Sequence, residues 1–590
     1  MYNILKYKIV PIKNITHTQI HSFSMGIPSY FAHVLKKYPG VIKRLSELPC
    51  INNLYMDCNG MIYDVVRQMQ YKPENQAAYE AEMLQRICES IDACIANIKP
   101  TDRVFIAFDG VAPVAKLNQQ RERRYKSWYL GEMETQRRRE LATKVEAPKP
   151  AWNTSAITPG TKFMNALHKK LTEYYDVTKN HNNQNNPKII LSSSNEPGEG
   201  EHKLFEYIRE HAAEHADKTT VIYGLDADLI MLCMSHLHIS RGIYLYRETP
   251  EFVKSINVAL DEKERYYMDI PEFADAVVKN IRPGERIPSP NHTIQPLGVW
   301  GALVVPQLDY IFMCFMLGND FMPHFPALNI RTTGIATLME AYRTVFKPDE
   351  SIIQLHSATS ASPWSIHWPN YKKFVAHLAA QELTLIRKEH GTRDRQARHM
   401  RDTDKEDDVM HDVLMLPMTQ REVERHINPF EPGWERRYYT SLCDIHNADD
   451  KAIASLSRNY LEGMEWTFRY YTSGCVDWKW TYANHYPPLL ADLVKHIPET
   501  YNPANAFSFL RAKPKDPIRD VVQLCYVLPR ASHALLPPAV ERALMRSKLR
   551  SKYTDDGSPN FKWAYCKYFW ECHTDLPELD LEELAQIVTA

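Results

Sequence analysis

The 590-residue chain sets 71 Lys and Arg against 72 Asp and Glu, so no global field pulls it onto nucleic acid and any anion site must be a local patch. Its eleven scattered cysteines include no C-x-x-C pair, which excludes a disulfide framework and a Cys-based zinc site and indicates a reducing compartment. No apolar run reaches the roughly 18 residues of a membrane span, and the length is more than one ordinary domain needs.

In chain order, residues 1–24 form an extension that is mildly apolar and basic. It carries no small-residue cleavage site behind an apolar core, so no secretory signal is expected. Met25 then opens "MGIPSYF". "NLYMDCNG" ends in Asp57, and "RVFIAFDG" ends in Asp109. "VIYGLDADLIML" carries Asp226 and Asp228. These three short apolar runs, bounded by Gly or Asn and separated by helical stretches, are expected as buried strands of a parallel sheet in an α/β fold. Ligands of such sheets sit beyond the carboxyl ends of the strands, where these acids fall. A fourth run, "DYIFMCFMLGNDF", carries Asp320 and is expected as a helix ending near Gly318.

Two stretches between these runs matter. "FDGVAPVAKLNQQRERRYKSWY" follows Asp109; as a helix it puts Lys116, Gln120, Arg123 and Arg124 on one face, with Arg121 and Glu122 off it. That face has no acid of its own. It is either a solvated amphipathic surface or a pocket for a terminal phosphate. "NEPGEGEH" packs Glu196, Glu199 and Glu201 into eight residues ahead of "KLFEYIREHAAEHA". It reads either as a helix start with acids placed for the dipole or as a metal-binding loop, and the two are compatible.

Residues 387–408 are more than half charged, with both signs mixed, and read as a solvated helix or linker. The sequence then turns aromatic, "EWTFRYYTSGCVDWKWTYANHYPPLL", and a second module is expected from near Glu431. The expected division is an extension at 1–24, a first region at 25–345, a helical and charged linker at 346–430, and a second region at 431–590.

Asp57, Asp109, Glu199, Glu201, Asp226, Asp228 and Asp320 taken together say more than any one of them. Asp226 and Asp228, two apart, face the same way if the chain there is extended. Gathered at one sheet edge, the seven would repel one another unless protonated or bound to cations. Oxygen-only ligation suits two Mg²⁺ or Mn²⁺ ions rather than zinc, and two such ions serve phosphodiester cleavage. Glu196, ahead of the Pro-Gly turn, is expected to face solvent.

These stretches resemble the Xrn-type 5'→3' exoribonucleases, relatives of the flap endonucleases. The matching segments are "MGIPSYF", "YMDCNGMIYD", "AFDGVAPVAKLNQQRERR", "ITPGTKFM", "SSSNEPGEGEHKLFEYIR", "YGLDADLIML" and "FMLGNDFMPHFP". In the second module "GWERRYY", "YLEGMEWTFRYYTSGCVDWKWTYANHYPPL" and "LPRASHALLPP" match as well. The resemblance implies a PIN-like, flap-nuclease-like sheet that is rich in parallel strands and flanked by helices. A second, mostly helical and aromatic-rich region packs against it. The seven acids match the family's metal-binding, catalytic carboxylates. Lys116, Gln120, Arg123 and Arg124 match its 5'-monophosphate pocket. The implied enzyme is a monomer that shortens single-stranded RNA with a 5'-monophosphate, processively, in RNA turnover, in the cytoplasm or the nucleus and without a membrane.

The sequence also departs from the family pattern. Tyr63 stands where a base-stacking His is usual, Val114 stands where Arg is frequent, and the opposite stacking face falls to Trp478 or Trp480, which share a face if "WKW" is a strand. By that resemblance the chain is expected to hold the catalytic core without the later β-rich and winged-helix domains of larger members. The rival reading is a 5' flap endonuclease or DNA exonuclease. Against it, "HFPALNIRTTGIATLMEAY" lacks the Gly-rich hairpin that follows the last acid in those enzymes. An inactive RNA-binding scaffold would be marked by a missing acid, and all seven are present.

Overall fold

The computed structural model describes residues 29–48, 50–140, 151–175, 187–247, 264–284, 297–355, 363–401, 413–447, 449–502, 506–510, 516–553 and 560–589. The expected extension at 1–24 and the start of "MGIPSYF" lie outside them. Seven strands make one sheet: β1 (Ile42–Arg44), β2 (Asn53–Asp57), β3 (Arg103–Ala107), β4 (Lys188–Ser192), β5 (Thr219–Tyr223), β6 (Gly242–Tyr246) and β7 (Tyr266–Asp269). Their order is β1-β7-β6-β5-β2-β3-β4. From β4 to β6 all neighbours are parallel, while β7 is antiparallel to both β6 and β1.

The three apolar runs are therefore strands, and central ones. Both sheet faces are covered, so their residues are apolar without a break. Tyr55, Phe105 and Ile222 pack on one face with Leu204, Phe205 and Ile208. Leu54, Met56, Val104, Ile106 and Val221 pack on the other with Met83, Ile87 and Ile91 of the helix Gln76–Ile98. The period of two divides each strand between two cores. The chain runs β2, β3, β4 to one side of β2 and then resumes with β5 on its other side. That reversal puts a crevice at the carboxyl ends of β2 and β5, the place where open α/β sheets bind ligands.

Six helices position the site: α1 (Asn59–Gln68), α2 (Val114–Glu140), α3 (Gly200–Glu210), α4 (Asp228–Ser235), α5 (Leu297–Cys314) and α6 (Asp450–Thr472). The fourth apolar run is α5, closed by a 3-10 turn at Phe315–Leu317 and by Gly318 at φ 87°. Helix α6 starts where Asp449 accepts hydrogen bonds from the amides of Lys451 and Ala452. It buries Tyr460, Met464, Trp466, Phe468, Tyr470 and Tyr471 in the same core that reaches the sheet through α3, α4 and α5.

Of the charged stretch 387–408, residues up to Arg401 lie in the described structure and form a helix whose Arg387, Lys388, Arg395 and Arg398 are exposed, while part of its charge is buried. In the helix Glu382–Arg401, Arg393 is buried and donates to Glu424 at 2.7 Å, and Arg421, equally buried, pairs with Glu424 and with Asp394 at 2.6 Å. Opposite charges cluster there because they satisfy one another inside the protein. Nearby Trp368, Tyr371 and Phe374 belong to the main core. All eleven cysteines are free. Among the described residues no helix is long and apolar enough to cross a membrane.

Candidate metal centre and phosphate pocket

The seven acids come from five separate segments and meet at the crevice. Asp57 is the last residue of β2, and Asp109 follows β3 by two residues. Glu199 is the extended residue (φ −69°, ψ 146°) from which α3 starts, and Glu201 lies in its first turn. Gly198 precedes them at φ 106°, a left-handed conformation that a side chain would strain. The amide of Gly200 donates to Asp109 Oδ1 at 2.6 Å, and a Cβ on Gly200 would stand 2.6 Å from Asp57 Oδ1. So "NEPGEGEH" is both a helix start and a wall of the crevice, with its second glycine pressed on two carboxylates. Glu196 is exposed and accepts a hydrogen bond from Ser192, as its place before the turn suggests.

Asp226 and Asp228 do not sit on an extended chain. Ala227 is already helical (φ −70°, ψ −24°) and Asp228 is the first residue of α4. A carboxylate there is favoured by the helix amino terminus, and its helical run "DLIMLCMS" is buried throughout. Asp320 follows the turn after α5. Glu199, Glu201, Asp228 and Asp320 are each less than a tenth exposed.

Crowding and burial shift Asp57, Glu199, Glu201, Asp226 and Asp228 upward. Burial, followed by the charges of Asp109 and Asp226, holds Asp57 well above the usual carboxylate range. Burial also raises Glu201 far above it, against the pull of Lys116 and with the push of Asp228. Burial and Asp320 push Asp228 up to about 8. Asp57 Oδ1 and Glu201 Oε2 are buried without a hydrogen-bond partner. Buried, unsatisfied carboxylate oxygens in an all-oxygen donor set fit hard divalent cations, which supply both the missing partners and the missing charge.

The protein supplies one cation of its own. Lys116 Nζ lies 2.6 Å from Glu199 Oε2 and 2.5 Å from Asp320 Oδ2, with all three side chains buried. Burial alone would lower its ammonium, but Asp320, Glu199 and Glu201 outweigh that and hold it well above the usual lysine value. The structure thus brings Lys116 among the carboxylates, and the acid missing from its own helix face comes from α3 and the loop after α5.

Further residues hold the acids in place. Asn59 Nδ2 donates to Asp109 at 2.5 Å and its carbonyl accepts from the Asp109 amide. Gln119 donates to Asp320 at 2.8 Å. Tyr470 Oη donates to Glu199 at 2.9 Å, while its ring stacks on His202 with centroids 3.6 Å apart. Tyr471 bonds Asp228. Lys203 ties the carbonyls of Phe108 and Ser193 together at 2.9 and 2.8 Å. None of these six was singled out in the sequence. Asn59, His202 and Lys203 were legible as polar residues within the acid motifs. No spacing rule links Tyr470 to Glu199, 271 residues away.

The rest of the expected phosphate pocket lies one to two turns along α2. Gln120 is buried, and Arg124 donates to Thr158 Oγ1 at 2.7 Å and to Gln120 at 3.4 Å. Burial, then the neighbouring Arg123, lowers the Arg124 guanidinium to about 10. Tyr63, half-buried on α1, is close enough to oppose that shift. Arg121 points elsewhere, to the carbonyl of Pro577 and the ring of Tyr526.

"WKW" is a turn rather than a strand, so its two tryptophans do not share a face. Trp480 is 7% exposed and stacks on Trp466 at 5.1 Å, inside the core. Trp478 is half-buried, and its carbonyl accepts from the first amide of α2 at 2.9 Å. A cavity of about 320 Å³ runs past Gln119, Arg123 and Asp320 toward His324, Arg331 and His485.

The family model described as the XRN 5'-3' exonuclease N-terminus matches residues 25–249, which hold six of the seven acids and all of α2. The model described as the Xrn1 helical domain matches 308–429 and 417–589, which hold Asp320 and α6. Among curated relatives, 5'-3' exoribonuclease 2 of Gallus gallus is 26% identical over 95% of this chain and 69% of its own length. Its Drosophila melanogaster homologue is 27% identical over 95% of this chain and 70% of its own length. The 5'-3' exoribonuclease 1 of Saccharomyces cerevisiae is 24% identical over 87% of this chain and 40% of its own length. The two family models follow one another along almost the whole chain, and it belongs to the XRN 5'-3' exonuclease family.

Proposed function

We propose that this protein is a divalent-cation-dependent 5'→3' exoribonuclease. It shortens single-stranded RNA that carries a 5'-monophosphate, processively, to nucleoside 5'-monophosphates. The observation that carries this reading is the convergence of seven carboxylates at the β2–β5 crevice beside the cationic helix α2. Asp57, Asp109, Glu199, Glu201, Asp226, Asp228 and Asp320 would hold two Mg²⁺ or Mn²⁺ ions. Such ions, when bound, activate water and stabilise the leaving oxygen of a phosphodiester.

The chain's own side chains do the rest. Lys116 and Tyr470 fix the Glu199 carboxylate from two sides, and Lys116 fixes Asp320 as well. Arg123 and Arg124 accept the terminal phosphate through charge-assisted hydrogen bonds, with Gln120 holding Arg124. Tyr63 and Trp478 offer flat faces to the terminal base, and Trp480 supports Trp466 from the core. We take residues 25–345 as the nuclease region and 431–590 as the aromatic region that closes over it, joined by 346–430. The enzyme is read as a monomer of the cytoplasm or nucleus, working in RNA turnover.

The test offers 5'-monophosphate, 5'-triphosphate and 5'-hydroxyl RNA, single-stranded DNA and a DNA flap, each with Mg²⁺ or with EDTA. Release of mononucleotides is expected from 5'-monophosphate RNA alone, and it is abolished by EDTA and by Asp226→Ala. Arg123→Ala reduces the preference for monophosphate over hydroxyl ends. Equal or faster cutting of the flap overturns the RNA reading.

A further inference from the structure

Glu122, the acid that the sequence places off the cationic face of α2, meets two histidines of the second region. Glu122 Oε1 lies 3.7 Å from His485 Nδ1, and one ligand atom from each of Glu122, His485 and His573 falls within 4.8 Å of the others. The two imidazoles face one another with centroids 5.1 Å apart. The far nitrogen of His485 is tied to Asp575 Oδ1 at 3.0 Å. Metal-binding histidines regularly have this arrangement, a carboxylate on the outer nitrogen that orients the inner one. The nearest lysine, Lys126, stands 3.9 Å from Glu122 and spends its hydrogen bonds on the carbonyls of Trp570 and Cys572, at 3.0 and 2.7 Å. Glu122 therefore has a lysine beside it that is not at hydrogen-bonding distance among these contacts.

The geometry points to a transition-metal site, of the zinc class, formed by Glu122, His485 and His573 and oriented by Asp575. Two imidazoles and one carboxylate are a known zinc donor set, and tetrahedral bonds of about 2.1 Å bring ligand atoms to about 3.4 Å, a contraction that side-chain rotation supplies. Imidazole ligands select Zn²⁺ over Mg²⁺, so this site and the seven carboxylates would take different ions. All three ligands line the cavity that also holds Arg123 and Asp320, so a fourth coordination position opens toward it. The ion would fasten α2, one residue from Arg123, to the strand His573–Asp575 and the loop carrying His485. None of this depends on the nuclease reading.

The test uses the full chain, stripped with a chelator and dialysed against Zn²⁺ in a large excess of Mg²⁺. Bound zinc is counted, and Co²⁺ is substituted for its visible absorption. One tight equivalent per chain is expected, with the absorption of a nitrogen- and oxygen-ligated tetrahedral ion and a raised thermal midpoint. The equivalent is lost in His485→Gln and in His573→Gln, and bound at least tenfold more weakly in Glu122→Gln. It survives in Asp226→Asn, which removes nuclease activity. If a histidine variant fails to fold, the partly exposed Glu122→Gln decides. Absence of zinc at excess Mg²⁺, or an equivalent unchanged by Glu122→Gln, overturns the site.

Discussion

Replacing Lys116 with Met keeps the length of the side chain and deletes the only protein cation within bonding distance of both Glu199 and Asp320 in the described structure. Glu199 is already raised by burial and by Asp109, and Lys116 is what restrains it. Without the ammonium, its cheapest escape is to take up a proton. For a carboxyl with an ordinary value near 4, protonation at pH 7 costs about 1.36 kcal/mol per pH unit, or about 4 kcal/mol, and at pH 5 about 1.4 kcal/mol. The first figure falls within the roughly 3–5 kcal/mol found on breaking buried ion pairs. The sign follows from linkage. The orphaned carboxyl has a higher folded than unfolded pKa, so the folded variant binds more protons than its unfolded chain. Its stability therefore declines as pH rises above about 4. Denaturant unfolding in EDTA, at pH 5 and pH 7, measures both values. Added Mg²⁺ should return most of the loss, since a divalent ion replaces the missing charge. A loss equal at both pH values and untouched by Mg²⁺ would refute the argument that Lys116 acts as a resident counter-ion.

Gly200→Ala separates activity from stability. The new Cβ would meet Asp57 Oδ1 at 2.6 Å, so the carboxylate or the start of α3 must shift. A displacement of this order lowers kcat by about 10–100-fold, while stability, at the first residue of the helix where propensity counts little, changes by less than about 1 kcal/mol; single-turnover rates and unfolding midpoints check both. Tyr470→Phe removes the donor to Glu199 and leaves the stack on His202. It should cost about 1.5–3 kcal/mol, seen as weaker Mg²⁺ activation. Trp478→Ala should weaken binding of single-stranded RNA by about 1–3 kcal/mol with stability intact. Trp480→Ala, which empties a core position, should cost about 3–5 kcal/mol of stability.

What was legible in the sequence was whatever local rules decide. Runs such as "NLYMDCNG" and "RVFIAFDG" are apolar because both sheet faces are covered, and their terminal acids lie at the strand ends because ligand crevices form there. The glycines of "NEPGEGEH" could be read as backbone devices. The close approach of Gly200 to Asp57 could not, because it depends on where another strand ends. Asp226 and Asp228 show the limit of local reading. A two-residue spacing gives one face only in extended chain, and whether the chain is extended after β5 is decided by the packing of α4 beneath it.

Charge is where sequence reading is weakest, because the partner of a charge is rarely near it in the chain. The helix around Arg393 is solvated at Arg387, Lys388, Arg395 and Arg398, but the buried ion pair of Arg393 with Glu424 leaves no trace in composition. Lys116, expected at the phosphate because its own helix face carries no acid, also has two acids that reach it from elsewhere. Glu122 looked idle for the same reason, and its histidine neighbours lie more than 360 residues downstream. Each case turns on the same physics: burial makes a charge seek a partner, and the fold chooses which one. A helix like α2 can therefore divide its residues among three tasks. Lys116 balances carboxylates, Arg124 bonds Thr158 and Gln120 beside Arg123, and Glu122 turns toward imidazoles. Helical periodicity sorts those residues by direction, and only the elements packed around the helix sort them by chemistry.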